Sequence, residues 1–277
     1  NFDHNSASSS GGAIFVDRVS STDPFVAYQS YFSYNSAGLD GGSISVNYST
    51  VTLYVQETTF EHDSAVGGGS IAANRVTGSL ALNNTSITSS QASGRGGAVN
   101  ARYTDHVTLY STGLHTNSAD YGGGAFLYRI GTAGSTGAVL LNNAVITGNS
   151  AVFQGGGLQI DRTYYTVTVQ NTTVTQNHAS LQGAGIHALL TDLVDITGSS
   201  IYDNVSYGSA GGVWDFGGSV AITDSYVTGN SARINGAGLT LYMNPSLTIS
   251  GSDISRNVLT GTNSLTNGGA VFMTGYY

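Results

Sequence analysis

Residues 146–160 read ITGNSAVFQGGGLQI, and the chain repeats this phrase along its length. In the phrase an apolar residue, Ile146, is followed three places later by Asn149, and a glycine cluster then leads to the alternating apolar pair Leu158 and Ile160. Self-similarity at a fixed period of about 20–50 residues indicates a repeat architecture. Close copies begin at Phe32, Phe60, Leu114, Val174 and Val227, and looser copies begin at Phe2, Ile87, Ile201 and Ile254.

The spacing of these apolar anchor positions gives the size of one repeat. They run from Phe2 to Ile254, with a mean spacing of 28 residues. Each period contains three runs in which apolar residues alternate with others, which is the strand signal. The first run follows the glycines, the second lies in the middle of the period, and the third ends at the anchor residue. No stretch shows the periodicity of an amphipathic helix.

Three short strands cannot bury an apolar core alone, but stacked copies of them can. The sequence therefore predicts an all-β, single-stranded parallel β-helix solenoid of about nine to ten coils, each with three strands and about 28 residues. By analogy with parallel crossovers, we expect this helix to be right-handed. Residues 1–277 would form a single β-helix solenoid domain. Because the chain begins with Asn1, we expect it to be a segment of a longer chain or assembly.

The composition limits the classes of function. Only 9% of the 277 residues are charged, and the formal net charge is −8. All eight basic residues are arginine, and the negative net charge argues against a nucleic-acid partner, which normally needs a clustered basic face. There is no cysteine, and no apolar run approaches the ~20 residues of a membrane span. The 39 glycines would suit a disordered linker, but 17 tyrosines and 9 phenylalanines oppose that interpretation.

One position in each repeat is nearly always asparagine. Stacked amides at a turn can bond one another and the turn backbone, as amide ladders do in cross-β structures. We therefore predict a structural asparagine column, and an asparagine-lined binding face is the alternative. The column consists of Asn5, Asn35, Asn117, Asn149, Asn177, Asn204, Asn230 and Asn257, with Asp63 and Ser90 as substitutes.

Two short motifs connect the repeats to a known family. Residues 2–5 (FDHN) and 32–35 (FSYN) have the form FxxN, and GGA followed by Ile or Val begins at Gly11, Gly96 and Gly268. These repeats resemble those of the polymorphic outer-membrane-protein family over essentially the whole chain. The resemblance implies a right-handed β-helix that is displayed on the cell surface as an adhesin. It is specific for the repeat type and the fold, whereas such repeats occur in surface proteins of varied function.

A polysaccharide-cleaving β-helix would need two or three carboxylates close together on one face. Asp105 and Asp192 occupy matching positions but lie three coils apart, and Asp192, Asp195 and Asp161 form the nearest group. The six histidines show no HxH or HExxH spacing, and no calcium-binding repeat occurs. We therefore predict no catalytic residue, no metal site and no cofactor.

Asp215 is irregular because it occupies a position that is apolar and inward in the other repeats. A buried carboxylate is costly without a partner. We expect the strand to slip by one residue, which would bury Trp214 and Phe216 instead. A buried acid with a perturbed pKa is the alternative.

A contact surface is predicted at the corner after the first strand. Arg and Tyr, which are enriched in contact surfaces, cluster there. A solvated corner that keeps the chain soluble is the alternative. The predicted contact ridge contains Arg18, Arg75, Arg102, Arg129 and Arg162, with Tyr48, Tyr103, Tyr164 and Tyr165.

N-x-[ST] sequons are frequent in the chain, and the predicted register separates exposed ones from buried ones. Asn47, Asn84 and Asn171 are candidate glycosylation sites, the last two at an exposed corner. Asn204 belongs to the inward asparagine column, so it should carry no glycan.

The sequence favours a non-catalytic extracellular structural or adhesive rod, as part of a filament or a surface layer. Low charge, the absence of lysine and regular coils support this function. We expect it to be extracellular or at the cell surface, to associate with itself or with neighbouring subunits, and to contact glycans, with no nucleic-acid partner and no membrane span. The alternative is a carbohydrate-binding or polysaccharide-cleaving β-helix.

Overall fold

The computed structural model of the chain describes residues 1–131, 139–262 and 266–275. Every regular element in these ranges is a β-strand, and every strand pair in them is parallel. The strands form four sheets of nine or ten strands, and each sheet takes one strand from each turn of the chain. The predicted parallel β-helix is therefore confirmed, with about nine turns of roughly 27 residues.

The first sheet contains the strands that follow the glycine turns, and the second sheet contains those in the middle of each repeat. The strands of the first sheet are Ile14–Asp17, Ile44–Asn47, Ile71–Asn74, Val99–Arg102, Ala125–Tyr128, Leu158–Asp161, Ile186–Leu189, Val213–Phe216, Leu239–Tyr242 and Val271–Thr274. The strands of the second sheet are Phe25–Tyr28, Leu53–Gln56, Ser79–Asn83, His106–Tyr110, Val139–Asn142, Thr166–Gln170, Leu193–Thr197, Ser219–Thr223 and Leu247–Ser250.

The third sheet carries the anchor residues, and the fourth sheet follows the asparagine column. The strands of the third sheet are Phe2–Asp3, Tyr31–Ser33, Thr59–Glu61, Ser86–Thr88, Gly113–His115, Val145–Thr147, Thr173–Thr175, Ser200–Tyr202 and Tyr226–Thr228. The strands of the fourth sheet are Ser6–Ala7, Ser36–Ala37, Ser64–Gly67, Gln91–Arg95, Ser118–Tyr121, Ser150–Gln154, His178–Ala179, Val205–Ser206, Ser231–Ala232 and Val258–Leu259.

The fourth sheet corrects the prediction of three strands in each coil. Its strands are as short as two residues, as in Ser36–Ala37, and so are too short to show an alternating pattern in the sequence. They nevertheless pair from turn to turn, for example Ser6 with Ser36 and Ala7 with Ala37, and longer pairs such as Ser64–Gly67 with Gln91–Arg95 contain a bulge. Each turn therefore has four strands and four corners.

Alternating apolar residues fill the interior and stack in columns from turn to turn. Ile44, Ile71 and Val99 are direct partners in the first sheet, and all three are fully buried. In the third sheet the rings of Phe32 and Phe60 are stacked with their centroids 4.7 Å apart. Burial of one such side chain contributes roughly 1.5–3 kcal/mol. Apolar burial along these columns therefore holds successive turns together.

The corners depend on residues in the left-handed backbone region. In the turn that begins at Phe60 these residues are His62, Gly68, Arg75 and Asn84, with φ of 57°, 66°, 55° and 49°. At Gly68 an added Cβ would lie 2.2 Å from a backbone oxygen, so glycine is favoured at this corner, and Ala210 occupies the equivalent corner of a later turn. The other three corners accept side chains, each at a cost of roughly 1 kcal/mol. Their side chains stack along the outside of the solenoid.

The prediction that the strand slips at Asp215 is wrong. Asp215 stays in register with Ala188 and Leu241 and is fully buried. Trp214 is buried as well, because the glycine turn folds over the outer face of the first sheet. At the next turn, for example, the hydroxyl of Thr240 donates to a turn carbonyl at 2.9 Å. Since both faces of this strand are covered, the carboxyl lies inside without exposing the indole.

Candidate functional site

A column of arginine and tyrosine side chains runs along the corner after the first sheet. The guanidinium carbon of Arg75 lies 5.1 Å from the ring centroid of Tyr48 and 5.7 Å from that of Tyr103, and that of Arg129 lies 5.7 Å from the ring of Tyr103. Cations over aromatic faces attract by roughly 0.5–1 kcal/mol at exposed sites. We call this set the corner column: Arg18, Tyr48, Arg75, Tyr103, Arg129 and Arg162.

The structure does not place all the predicted ridge residues in the corner column. Arg102 is the last residue of its strand, one place before the corner, and its Nη2 lies 3.4 Å from Oδ2 of Asp40. Tyr164 and Tyr165 lie beyond the corner, where Tyr164 is exposed and Tyr165 packs against the core. The corner column is therefore narrower than the predicted ridge.

Beside the corner column, a cleft of about 450 Å³ lies between the fourth and first sheets. Three successive turns of the solenoid form it, and its lining residues are strand partners from one turn to the next. We call it the cleft, and it is lined by Arg95, Tyr121 and Gln154 from the fourth sheet, by Phe126, Gln159, Arg102, Tyr128 and Asp161 from the first sheet, and by Tyr103 of the corner column.

The floor of the cleft holds buried polar atoms that have no partner among the described residues. Gln159 is 3% exposed, and its amide donates to Oδ2 of Asp161 at 3.0 Å, but its carbonyl oxygen accepts no hydrogen bond. Oδ1 of Asp161 and Nε of Arg102 also lack hydrogen-bond partners. Buried polar groups are normally hydrogen-bonded, so these three atoms are unsatisfied in the structure.

Burial also changes the charge of the cleft. It raises the pKa of Asp161 to about 6, and the hydrogen bond from Gln159 and the nearby charges of Arg162 and Arg95 only partly oppose this rise. His187, whose Nδ1 lies 3.8 Å from Oδ1 of Asp161, is fully buried, which lowers its pKa to about 3. This histidine is therefore neutral near pH 7 and does not act as a counter-ion.

Sequence reasoning missed most of the cleft. Gln159 and Phe126 each lie between two inward-facing residues of their strands. The alternating pattern predicts that such a position faces solvent. Both side chains are buried instead, because the glycine turns cover this face of the sheet. Arg95 and Tyr121 lie in the fourth sheet, which the periodicity did not reveal. The sequence did contain one sign of this burial: the position carries large side chains, including the aromatic residues Phe126 and Trp214, although the alternating pattern predicts that it is exposed.

The asparagine column forms a hydrogen-bonded ladder inside the solenoid. Asn149 is fully buried, and its backbone N–H and its side-chain amide donate to Oδ1 of Asn177, both at 3.0 Å. The same amide donates to the carbonyl oxygen of Leu114 in the preceding turn at 2.9 Å. Because these side-chain amides are buried and already hydrogen-bonded, they do not form an asparagine-lined face for a ligand. Equivalent bonds join Asn5 to Asn35, Asn117 to Asn149, Asn177 to Asn204, Asn204 to Asn230 and Asn230 to Asn257.

The carboxylates that were considered for catalysis lie on different elements. Asp195 is in the second sheet, Asp192 directly precedes that strand, and Asp161 ends a strand of the first sheet. Asp105 directly precedes an earlier strand of the second sheet. Within the described ranges, no group of three or more His, Asp or Glu side chains could hold a metal ion.

The sequons differ in exposure. Asn84 and Asn171 are exposed and Asn47 is partly buried, so Asn84 and Asn171 remain the better candidate glycosylation sites. The side chain of Asn204 is fully buried, and its amide donates to Oδ1 of Asn230 and to the carbonyl oxygen of Val174. A glycan on that nitrogen would break the ladder.

The comparisons with known proteins concern the repeat. A sequence model of the Chlamydia polymorphic membrane protein repeat matches residues 1–17, which contain both the FDHN and the GGAI motifs. No curated protein and no solved structure matches the chain. The described ranges contain no helix with the length and apolar character needed to cross a membrane. Together, the matched repeat and the stacked parallel sheets fit a β-helix repeat protein similar to the polymorphic membrane proteins.

Proposed function

We propose that the chain is a non-catalytic, cell-surface β-helix rod with a structural or adhesive role. The corner column is the observation that carries this proposal. It presents stacked Arg and Tyr side chains over successive turns, and several of them are exposed, including Arg18, Tyr48 and Arg75. A rigid parallel stack holds these side chains at a fixed spacing of about 4.8 Å per turn. A repetitive partner, such as a neighbouring copy or a surface polymer, would meet many equivalent contacts.

Two further observations support a non-catalytic role. Asp161 ends a strand of the first sheet, whereas Asp192 directly precedes and Asp195 lies within one strand of the second sheet, and hydrolysis of a glycosidic bond needs a close pair of carboxylates. The matched family is defined by a repeat of membrane proteins and not by an enzyme signature. After incubation with acidic and neutral polysaccharides, we expect no new reducing ends. Cleavage that disappears in Asp192→Asn or Asp195→Asn would contradict the proposal.

Substitution of the corner column tests the adhesive role. The triple variant Arg18→Gln, Arg75→Gln and Arg129→Gln removes the cations but keeps similar length and polarity. We expect it to fold with little change in melting temperature and to lose most of the adhesion to cells, or most of the assembly seen in electron micrographs. Arg233→Gln with Arg256→Gln, which lie outside the column, serves as the control. Adhesion and assembly that are unchanged in the triple variant would contradict a contact role.

A further inference from the structure

We propose that the cleft binds an acidic pyranose, that is, a sugar ring that carries a carboxylate. This inference rests on the proposed adhesive role and names the class of ligand that the rod would hold. It is carried by three features of the cleft: its shape with aromatic walls, its unpaired buried acceptors, and an arginine without an ion-pair partner.

The size and the walls of the cleft suit a sugar. Its volume of about 450 Å³ lies within the usual range of ligand pockets and exceeds that of a single hexose ring. Phe126 is almost fully buried, whereas the rings of Tyr103, Tyr121 and Tyr128 line the cleft and are at least partly exposed. A pyranose presents an apolar face of C–H groups that packs on such rings, while its hydroxyls lie around the edge.

The buried acceptors require donors from a ligand. The side-chain carbonyl of Gln159 and Oδ1 of Asp161 are buried and accept no hydrogen bond among the described residues. Leaving such atoms unpaired costs roughly 1–3 kcal/mol each. Sugar hydroxyls are donors of the right kind, and binding would require the Gln159 and Asp161 side chains to turn towards the cleft, because both acceptor atoms are out of contact with solvent. A purely apolar ligand would leave both acceptors unpaired.

Arg95 supplies the charge for a carboxylate. Its guanidinium carbon lies 5.3 Å from the ring centroid of Phe126, at the rim of the cleft, and no carboxylate lies within ion-pair distance in the described part of the chain. Arg102, the other cation of the cleft, is already engaged by Asp40 at 3.4 Å. Arginine pairs with carboxylates through parallel N–H donors, so Arg95 would favour an acidic sugar over a neutral one.

The cleft also predicts how binding depends on pH. Burial raises the pKa of Asp161 to about 6, so this carboxyl repels an anionic ligand at pH 7.5 but not at pH 5. Affinity for the acidic sugar should therefore increase as the pH falls, and Asp161→Asn should remove the dependence. The other charged or titratable groups that face Asp161 are Arg95, Arg162, Tyr128, His187 and, farther along the cleft, Arg102 with Asp40.

The experiment is an array of oligosaccharides of galacturonic, glucuronic and sialic acids with their neutral counterparts, followed by calorimetry on the best acidic probe. We expect an acidic probe to bind more tightly than its neutral counterpart. Arg95→Gln and Gln159→Leu should each weaken binding about tenfold or more. Arg233→Gln, which removes an exposed arginine in a later turn, is the matched control, and melting curves verify folding.

Three results would overturn the inference: no acidic probe binds, neutral probes bind equally well, or the Arg95 and Gln159 variants bind like the unmodified chain. None of these results would remove the proposed adhesive role, because that role is tested separately with variants of the corner column. Conversely, loss of adhesion in the corner-column variant with intact sugar binding would show that the two surfaces act independently.

Discussion

The side chain of Asp215 shows how one residue can tie the stability of the fold to pH. Its carboxyl lies in an apolar column, where Thr191 Oγ1 donates to Oδ1 at 3.3 Å, and the Gly218 N–H donates to Oδ2 at 3.3 Å. The amide of Asn244 also donates to Oδ2. Burial nevertheless raises its pKa from 3.8 to about 6, because three hydrogen bonds do not fully replace hydration. The group is a buried acid that is neutral below pH 6.

The contribution of Asp215 to the free energy of unfolding should therefore fall as the pH rises from about 4 to 7.5, whereas the lowered pKa of the buried His187 acts in the opposite direction. Between pH 3.8 and about 6, the Asp215 carboxyl binds more protons in the folded state than in the unfolded state. The stabilisation that comes from this difference is complete below pH 3.8 and is lost as the pH rises through about 6. The raised pKa values of Asp63 and Asp161, each about 6, act in the same direction. In Asp215→Asn, the amide can accept from Asn244 and Gly218 and donate to Thr191. Urea unfolding at several pH values should show this variant more stable at pH 7.5 by up to about 3 kcal/mol, with a flatter pH profile.

The control for this prediction is Asp192→Asn, which removes the same charge at an exposed position. It should leave the pH profile almost unchanged. If Asp215→Asn has the same slope as the unmodified chain, the carboxyl is not the group that titrates.

At the scale of elements, the asparagine ladder is regular except at two neighbouring rungs. Asn35 donates to Oδ1 of Asp63 from both its backbone N–H and its side-chain amide. Asp63 has no amide that could donate in turn, and the next rung is Ser90, whose hydroxyl lies 2.7 Å from that of Ser70 instead. Burial also raises the pKa of Asp63 to about 6. The ladder is therefore weakest between these two turns.

Restoring the amide at this rung should stabilise the solenoid. In Asp63→Asn the carbonyl oxygen keeps its bonds from Asn35, and the new amide can donate to the carbonyl oxygen of Phe32, as Asn117 does to that of Ile87 at 3.0 Å. We expect the free energy of unfolding at pH 7.5 to rise by about 1 kcal/mol. The reciprocal change, Asn149→Asp, should lower it by more at pH 7.5 than at pH 5. Equal stability of Asp63→Asn and the unmodified chain would show that the break in the ladder is harmless.

The elements differ in how far the sequence predicts them. Inward pairs such as Leu158 and Ile160 alternate clearly, so the first three sheets could be predicted. The fourth sheet could not, because a strand such as Ser36–Ala37 has no room for a period. The cleft was missed for a different reason: the burial of Gln159 depends on a glycine turn that folds over the sheet, and alternation along one strand does not report on what covers its other face.

At the scale of the whole molecule, each strand pairs only with the strands of the turns next to it, and a long side chain reaches one turn further where Arg102 contacts Asp40. In every sheet the strands follow one another in the order of the repeats, so no sheet joins distant parts of the chain directly. Stability is then close to a sum of terms for single turns and for their interfaces. The regular stack also keeps the corner column and the cleft in fixed positions, since both are built from residues in register across consecutive rungs.

This arrangement predicts which pairs of core substitutions couple. Phe32 and Phe60 are stacked at 4.7 Å, so Phe32→Leu and Phe60→Leu should be non-additive by about 0.5–1.5 kcal/mol in a double-mutant cycle. Phe32→Leu with Ile222→Val, which lies in the second sheet many turns away, should add within about 0.5 kcal/mol. Both cycles are measured by urea unfolding at one pH, with circular dichroism as the signal. Strong coupling in the distant pair would mean that strain is transmitted along the whole stack, and the description of the rod as a chain of nearest-neighbour interfaces would then be wrong.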